Sequence, residues 1–310
     1  MPPCIKNITK SEVLTNVLVQ CGQGAFVANE FAPAALVLNR KGEIFKGGTE
    51  HLKAVRGEAR SGALSTKVSF DYTDVDYKTV PRKWHAELPQ DIIDNQAAPL
   101  NVRVRGTEIL GQICKLDGEI RTATLVQATG TISNTGAAAY WDGPPAGATP
   151  INPKMDIDAR REVVRRAVGK YPNVMKISVN CRNALVNWLL AKAQITYGEA
   201  AQVIELPSML WGMKPVVPLC VQNIANEGQA DNNSDVWSDT ITVMIVEPPS
   251  LMYQGAFLTL RRTKIGAAGY RTRQWFDEGP EVESVEVQSE EDVVTVLVGA
   301  ASILTGVLTP

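Results

Sequence analysis

Apolar residues recur at helical spacing across 156–168, where Ala159, Val163 and Ala167 stack at i, i+4 with Ile157, Val164 and Val168 beside them. Arg160, Arg161, Arg165 and Arg166 fill the opposite face, and Gly169 supplies the stop. A Tyr-Pro-Asn turn leads into a short β-rich run, Val174, Ile177 and Val179. Asn180 then stands where it would cap a second helix carrying Leu185, Trp188, Leu189 and Leu190. A longer helix is predicted over about 99–127, with Ile109, Ile113, Leu116, Ile120 and Ala123 on one face. Gly106, Gly111 and Gly118 interrupt it, each costing on the order of 1 kcal/mol relative to Ala. Such a helix is marginal alone and must be held by packing. The three glycines are its candidate bend, or the places where a neighbouring backbone comes close.

The region from 40 to about 85 has a different pattern. A tight Lys41-Gly42 turn and a polar, glycine-containing middle precede the alternating Val68, Phe70, Tyr72, Val75 and Tyr77. This predicts a long projecting β-hairpin with a loose tip. So little core material in so many residues implies a segment stabilised by a neighbour. Residues 1–38 show little periodicity and read as an arm, and 130–153, rich in Gly, Ala, Thr and Pro, is the best internal boundary. Beyond it, Pro207 near the first helical position predicts a short helix ended by Trp211-Gly212, and 216–221 predicts a strand. The polar run 223–239 reads as a surface loop. Strands follow over 240–246 and 255–263, and the alternation of Val285 and Val287 predicts an extended terminal hairpin.

Charge and chemistry narrow the function. With 31 basic against 33 acidic residues, the formal net charge is −2, which argues against a protein built to grip nucleic acid. One segment is strongly biased: 277–292 carries eight carboxylates and no basic residue, and reads as a solvated loop or strand face. No apolar run approaches the roughly 18 residues needed to span a bilayer, and the first residues lack a signal-peptide core. Five scattered cysteines form no CxxC pair, so reduced thiols are expected rather than a zinc site.

General acid–base chemistry most often recruits histidine, and the chain has only His51 and His85. GxSxG, HExxH and P-loop patterns are missing. Gly22-Gln23-Gly24 lacks the rest of a dinucleotide fingerprint, and Asp156 and Asp158 sit at a helix start, where acids meet the macrodipole favourably. Glu162 is placed to pair within its helix with Arg165 and Arg166, with salt bridges between subunits as the alternative. No enzyme, cofactor or metal is expected.

Four pieces in order carry a family resemblance: HAELPQDIIDNQAAPL ahead of the long helix, DARREVVRRAVGKYPNVMKIS, LPSMLWGMKPVVPLCV, and YRTRQWFDEGPEVESVEVQSEEDVVTVLVGAASIL. Together they resemble major capsid proteins of tailed double-stranded DNA bacteriophages, with the α+β Hong Kong 97-type fold. The resemblance spans roughly 30–306. It implies an N-terminal arm (1–38), an extended loop or E-loop (39–85), a peripheral domain (86–150 and 266–294) containing the long spine helix, and an axial domain (151–265 and 295–310).

The implied function is a coat protein assembling into hexamers and pentamers of an icosahedral shell around phage DNA, in the virion, after assembly in the host cytoplasm. An encapsulin-like shell enclosing protein cargo is the alternative. Candidate intersubunit contacts are Arg40, Lys41, Lys46, Arg56, Arg60, Arg160, Arg161, Arg165 and Arg166. Barely 30 residues precede the matched region, so a separate scaffolding protein is expected, with a portal protein and possibly a decoration protein as further partners. Packaged DNA would be touched only weakly and non-specifically, and no membrane is involved. Some relatives cross-link subunits through a Lys–Asn bond; Lys41, Lys46 and Lys53 lie in or near the loop, where lysine is common without that chemistry.

Overall fold

The computed structural model describes residues 9–10, 14, 26–46, 52, 54, 73–95, 101–143, 151–191, 206–226, 228–250, 253–266, 269–278 and 281–309. Arg56, Arg60, His51, Lys53, Gly22 to Gly24 and the upper part of the hairpin lie outside these residues.

Along the chain, β1 (Thr9–Lys10) and α1 (Ala28–Phe31) precede β2 (Ala34–Val37). β3 (Lys41–Lys46) and β4 (Thr73–Lys78) then pair antiparallel, from Lys41 opposite Lys78 to Lys46 opposite Thr73, as the root of the predicted hairpin. Gly42 faces Tyr77 there; a Cβ at position 42 would lie 2.8 Å from the tyrosine hydroxyl, so the ring needs glycine beneath it. β5 (Val80–Pro89) leaves this ribbon, so the boundary expected at 85 falls inside a strand of the main sheet.

After α2 (Gln90–Asp94) comes the long α3 (Val102–Val126), capped by Asn101, whose side chain accepts from the Val104 amide. β6 (Ser133–Gly136) leads to α4 (Pro153–Val168). That helix begins three residues before the predicted start because Asn152 caps it and Pro153 opens it. Gly169 ends it at φ 82°, as the sequence predicts. β7 (Val174–Ile177) and α5 (Val179–Ala191) follow. The cap of α5 is Ser178, whose Oγ accepts from the Cys181 amide; Val179 is already helical, and Asn180 is free to bond elsewhere.

Two further predictions fail locally. Instead of a helix, Leu210 and Met213 bond to each other across a tight turn in which both Trp211 (φ 50°) and Gly212 (φ 79°) are left-handed. The strand expected over 216–221 is split into β8 (Lys214–Val216) and β9 (Val221–Asn223), with Pro218 in the gap, where a ladder would need the amide it lacks. β9 pairs with β10 (Asn233–Asp235) inside the run read as loop. The chain closes with β11 (Ile241–Met244), β12 (Phe257–Arg262), β13 (Tyr270–Asp277), β14 (Val282–Thr295) and β15 (Ala301–Thr305).

These strands make two main sheets. One runs β1-β13-β14-β12-β2, with β5 also on β14, and α3 lies along it; the other runs β6-β15-β11-β7-β8 and is packed by α4. The largest core joins Ile157, Val164, Met175, Leu185 and Ile303 of the second lobe to Ala123 and Val126 of α3 and to Phe31. Under the first half of α3, Leu110 and Cys114 meet Val285 and Val287 of β14. The face predicted for α3 is therefore corrected. Thr107, Leu110 and Cys114 are buried, while Ile109 and Ile113 are 46% and 43% exposed. On α4 likewise, Ile157, Val164 and Val168 form the buried stripe and Ala159 is exposed.

Candidate functional site

Within β14 the acidic segment is not a solvated face, although Glu278 and Glu281 before it are exposed. In β14, alternate residues point to opposite sides. Glu283, Val285, Val287, Ser289 and Glu291 share the side that meets α3, with the two valines at the centre and a carboxylate at each end. α3 answers with Arg103, which donates to Glu283 at 2.7 Å, and Arg121, which donates to Glu291 at 2.8 Å. Eighteen residues of helix at about 1.5 Å each and eight of strand at about 3.3 Å each span the same roughly 27 Å. Helix and strand thus run side by side with an ion pair at both ends. Arg261 completes the second pair at 3.0 Å from Glu291. Burial alone would push the Glu291 carboxyl up; attraction to Arg261 and Arg121 outweighs it and holds the group below the usual range.

On the reverse side of β14, Glu290 anchors the ribbon. Arg40 donates to it at 2.6 Å and Arg262 at 3.1 Å, and the Thr79 hydroxyl also reaches it. Asp292 accepts from the Lys78 amide at 2.9 Å. Ile44, Val75 and Tyr77 of the ribbon pack on Tyr253, Leu258, Leu260 and Val296, so its root has a small core of its own. The sequence could have signalled these partners, because Arg40, Arg103, Arg121, Arg261 and Arg262 all stand on predicted elements. It could not say which of them approach β14.

A second polar cluster joins the two lobes. Glu119, at mid-depth of α3 and 1% exposed, accepts from the backbone amides of Val27 (3.2 Å) and Ala28 (2.9 Å) and from the Trp237 indole N–H (2.9 Å). Over the ring of that indole, the Lys176 ammonium lies 5.7 Å from the centroid. Lys176 is fully buried and donates to the carbonyls of Ser238 and Thr240 and to the Thr240 hydroxyl, at 2.7, 2.9 and 3.1 Å. Gln127, at the end of α3, accepts from the Ser238 amide and hydroxyl, and Asp239 accepts from Ser178 and Asn180. Burial pushes the Glu119 carboxyl up against its three hydrogen bonds, and draws the Lys176 ammonium down to about 8. Trp237, the hub of this clamp, sits in the run read as surface loop; an indole among polar residues was the signal missed.

The remaining candidates fall as follows. Arg161 pairs with Asp158 at 2.8 Å, Arg165 with Glu162 at 2.7 Å and Arg166 with Glu162 at 3.8 Å, all within α4. Arg160 donates to the Thr135 hydroxyl. Lys41 and Lys46 are at the two ends of β3. Gly118 lies against Glu291, where a Cβ would come within a tight 3.3 Å of Oε1; Gly106 lies against Leu88, where a Cβ at 3.6 Å would make an ordinary contact, and Gly111 is buried. His85 is exposed beside Glu87.

As chemistry, the described residues offer little reactivity. Burial pushes the thiols of Cys114, Cys181 and Cys220 up to about 12, 11 and 11, so each stays protonated near neutral pH. No group of three His, Cys, Asp or Glu side chains that could hold a metal occurs among the described residues. What the arrangement can do is mechanical: it fixes the root of the β3–β4 ribbon and ties residues 26–31 to two lobes.

No protein-family model and no curated protein sequence matches the chain. Solved structures do. A phage-related protein from Bordetella bronchiseptica RB50 superposes over 98% of this chain and 100% of its own, with TM-score 0.73 and 16% identity. The mature capsid of bacteriophage PhiM1 covers 98% of this chain and 91% of its own subunit at TM-score 0.55 and 12% identity. The encapsulin complex of Synechococcus elongatus PCC 7942 covers 98% and 92% at TM-score 0.52 and 12% identity. The fold is the mixed α and β Hong Kong 97 type that the sequence resembles.

Proposed function

We propose that this chain is a shell-forming structural protein, the major capsid subunit of a tailed double-stranded DNA phage or prophage, working in the virion. One observation carries the reading: both lobes, the long helix and the ribbon root superpose end to end on a phage-related protein at TM-score 0.73. The surface supports it. Ile109 and Ile113 on α3 and Leu38 beside the ribbon are apolar and exposed in the single chain. Contacts between copies would cover such groups and supply stability that one chain lacks.

In this reading copies form hexamers and pentamers. Residues 151–265 and 295–310 would meet around the symmetry axes, and 86–150 with 266–294 between capsomers. The ribbon from 41 to 78 would lie across a neighbour, carrying Arg56 and Arg60 to it, while Arg40 fixes its root. The arm would wrap another copy, and α3 would flex at its glycines. A separate scaffolding protein, a portal protein and possibly a decoration protein would complete the assembly. A net charge of −2 suits an inner wall that must let DNA slide, because a basic lining would hold it by counterion release.

Electron microscopy of particles containing this chain, with nuclease protection on the same fraction, tests the reading. Icosahedral shells around protected DNA are expected. Closed shells with protein cargo instead would favour the nanocompartment reading, which the likeness to the encapsulin complex supports. A chain that never enters a particle would overturn both.

A further inference from the structure

We propose that Glu119 is a proton-linked latch that fastens the exit of the N-terminal arm to the second lobe. The inference concerns the single folded chain and does not depend on its forming a shell.

The geometry is unusual for a carboxylate. Glu119 is almost wholly buried, yet among the described residues no cation touches it. Its three donors are neutral and come from two directions: the amides of Val27 and Ala28 from the arm, and the Trp237 indole from the second lobe. Phe31, fully buried, closes over the same indole edge to face, with ring centroids 5.1 Å apart. Residues 26–31 are therefore the lid that keeps water from the carboxylate, and the carboxylate is what holds the lid's first amides.

Other charged groups around the site are occupied elsewhere. Lys176 lies over the indole ring and donates to Ser238 and Thr240. Glu30 of α1 pairs with Lys214 at the surface, and Asp239 accepts from Ser178 and Asn180. On α3 itself, Asp117 and Arg121 pair with each other, and Arg121 turns to Glu291 on β14. Cys220 is close by, and its thiol stays protonated. Among the described residues, therefore, only the three neutral donors stand in for the hydration that Glu119 loses when the arm seats.

Linkage then fixes the direction. When 26–31 lifts away, the carboxylate regains water and its ordinary proton affinity. When the segment seats, burial raises that affinity. The seated state thus binds the proton more tightly, so lowering the pH favours seating and raising it favours release. A single proton can change this equilibrium by at most about tenfold per pH unit.

Hydrogen exchange of the full chain tests this, reading protection of the 27–32 amides relative to their intrinsic rates. The range runs from pH 4.5 to below the lysine's value of about 8. Protection should fall as the pH rises, approaching tenfold per unit at the steepest part. In Glu119→Gln, a neutral stand-in for the protonated carboxyl, it should be flat and near the wild-type level at low pH. Trp237→Phe removes one donor to the charged form, so its transition should move to higher pH. Protection that is flat or rises with pH in the wild-type chain, an unchanged slope in Glu119→Gln, or an unshifted transition in Trp237→Phe would each overturn the latch.

Discussion

Glu291 on β14 and Glu119 on α3 are both hidden from water, at 4% and 1% exposure, but they meet different surroundings. Glu291 is gripped by two guanidinium groups, and its carboxyl is held below the ordinary range. Glu119 has only neutral donors among the described residues, and its carboxyl is pushed up by burial. The first arrangement is a fixed joint, since separating paired buried charges leaves them stranded. The second is a joint whose strength depends on a proton. The ribbon root and the arm exit therefore differ in kind, although the sequence marks neither.

The most damaging way to break the contrast is Glu291→Ala. It leaves Arg261 without its counter-charge and Arg121 with Asp117 alone, and the expected loss is about 3–5 kcal/mol by urea denaturation. Replacing Glu291, Arg121 and Arg261 with Leu, Met and Met should recover much of that loss, because the cost lies in the stranded charges.

Next comes Glu119→Leu, which deprives three donors of their acceptor while removing a costly buried charge. A net loss of about 1–3 kcal/mol is expected near neutral pH.

The two carboxylates should also separate by pH in thermal melts. Glu291, depressed when folded, contributes stability that is present above pH 4.5 and lost as the pH falls through its folded value. Glu119, raised when folded, contributes stability that is full below pH 4.5 and lost as the pH rises through its folded value. Each variant should abolish its own limb of the profile.

Lys176→Met sharpens the alkaline side. The wild-type lysine, depressed to about 8, contributes stability above 10.5 that is lost as the pH falls through 8. A rise in melting temperature between those values should be present in the wild type and absent in the variant. The smallest effect belongs to Arg166→Ala, whose 77% exposed side chain makes only a long surface pair; a change within about 0.5 kcal/mol is expected.

Local signals were legible wherever one element decides its own ends. Gly169 stops α4 with its left-handed backbone, and the alternation of Val75 and Tyr77 marks the ribbon root, but the tight turn expected at Lys41-Gly42 is instead the start of strand β3. The existence of α3 was readable from its period, and the order of elements sufficed to suggest the fold. Partners could not be read in this way. Arg40 meets Glu290 across 250 positions and Arg103 meets Glu283 across 180, so a run of carboxylates looked solvated although Glu283, Glu286, Glu290 and Glu291 are paired with cations from distant segments. The apolar stripe of α3 was real, but the stretch that fits against Val285 and Val287 is Leu110 and Cys114, leaving Ile109 and Ile113 outside. Sequence by itself determined periods, stops and turns, which depend on backbone geometry within a few residues. Only the tertiary structure decided which face is inside and which charge is answered, because burial and pairing belong to surfaces that distant segments make together.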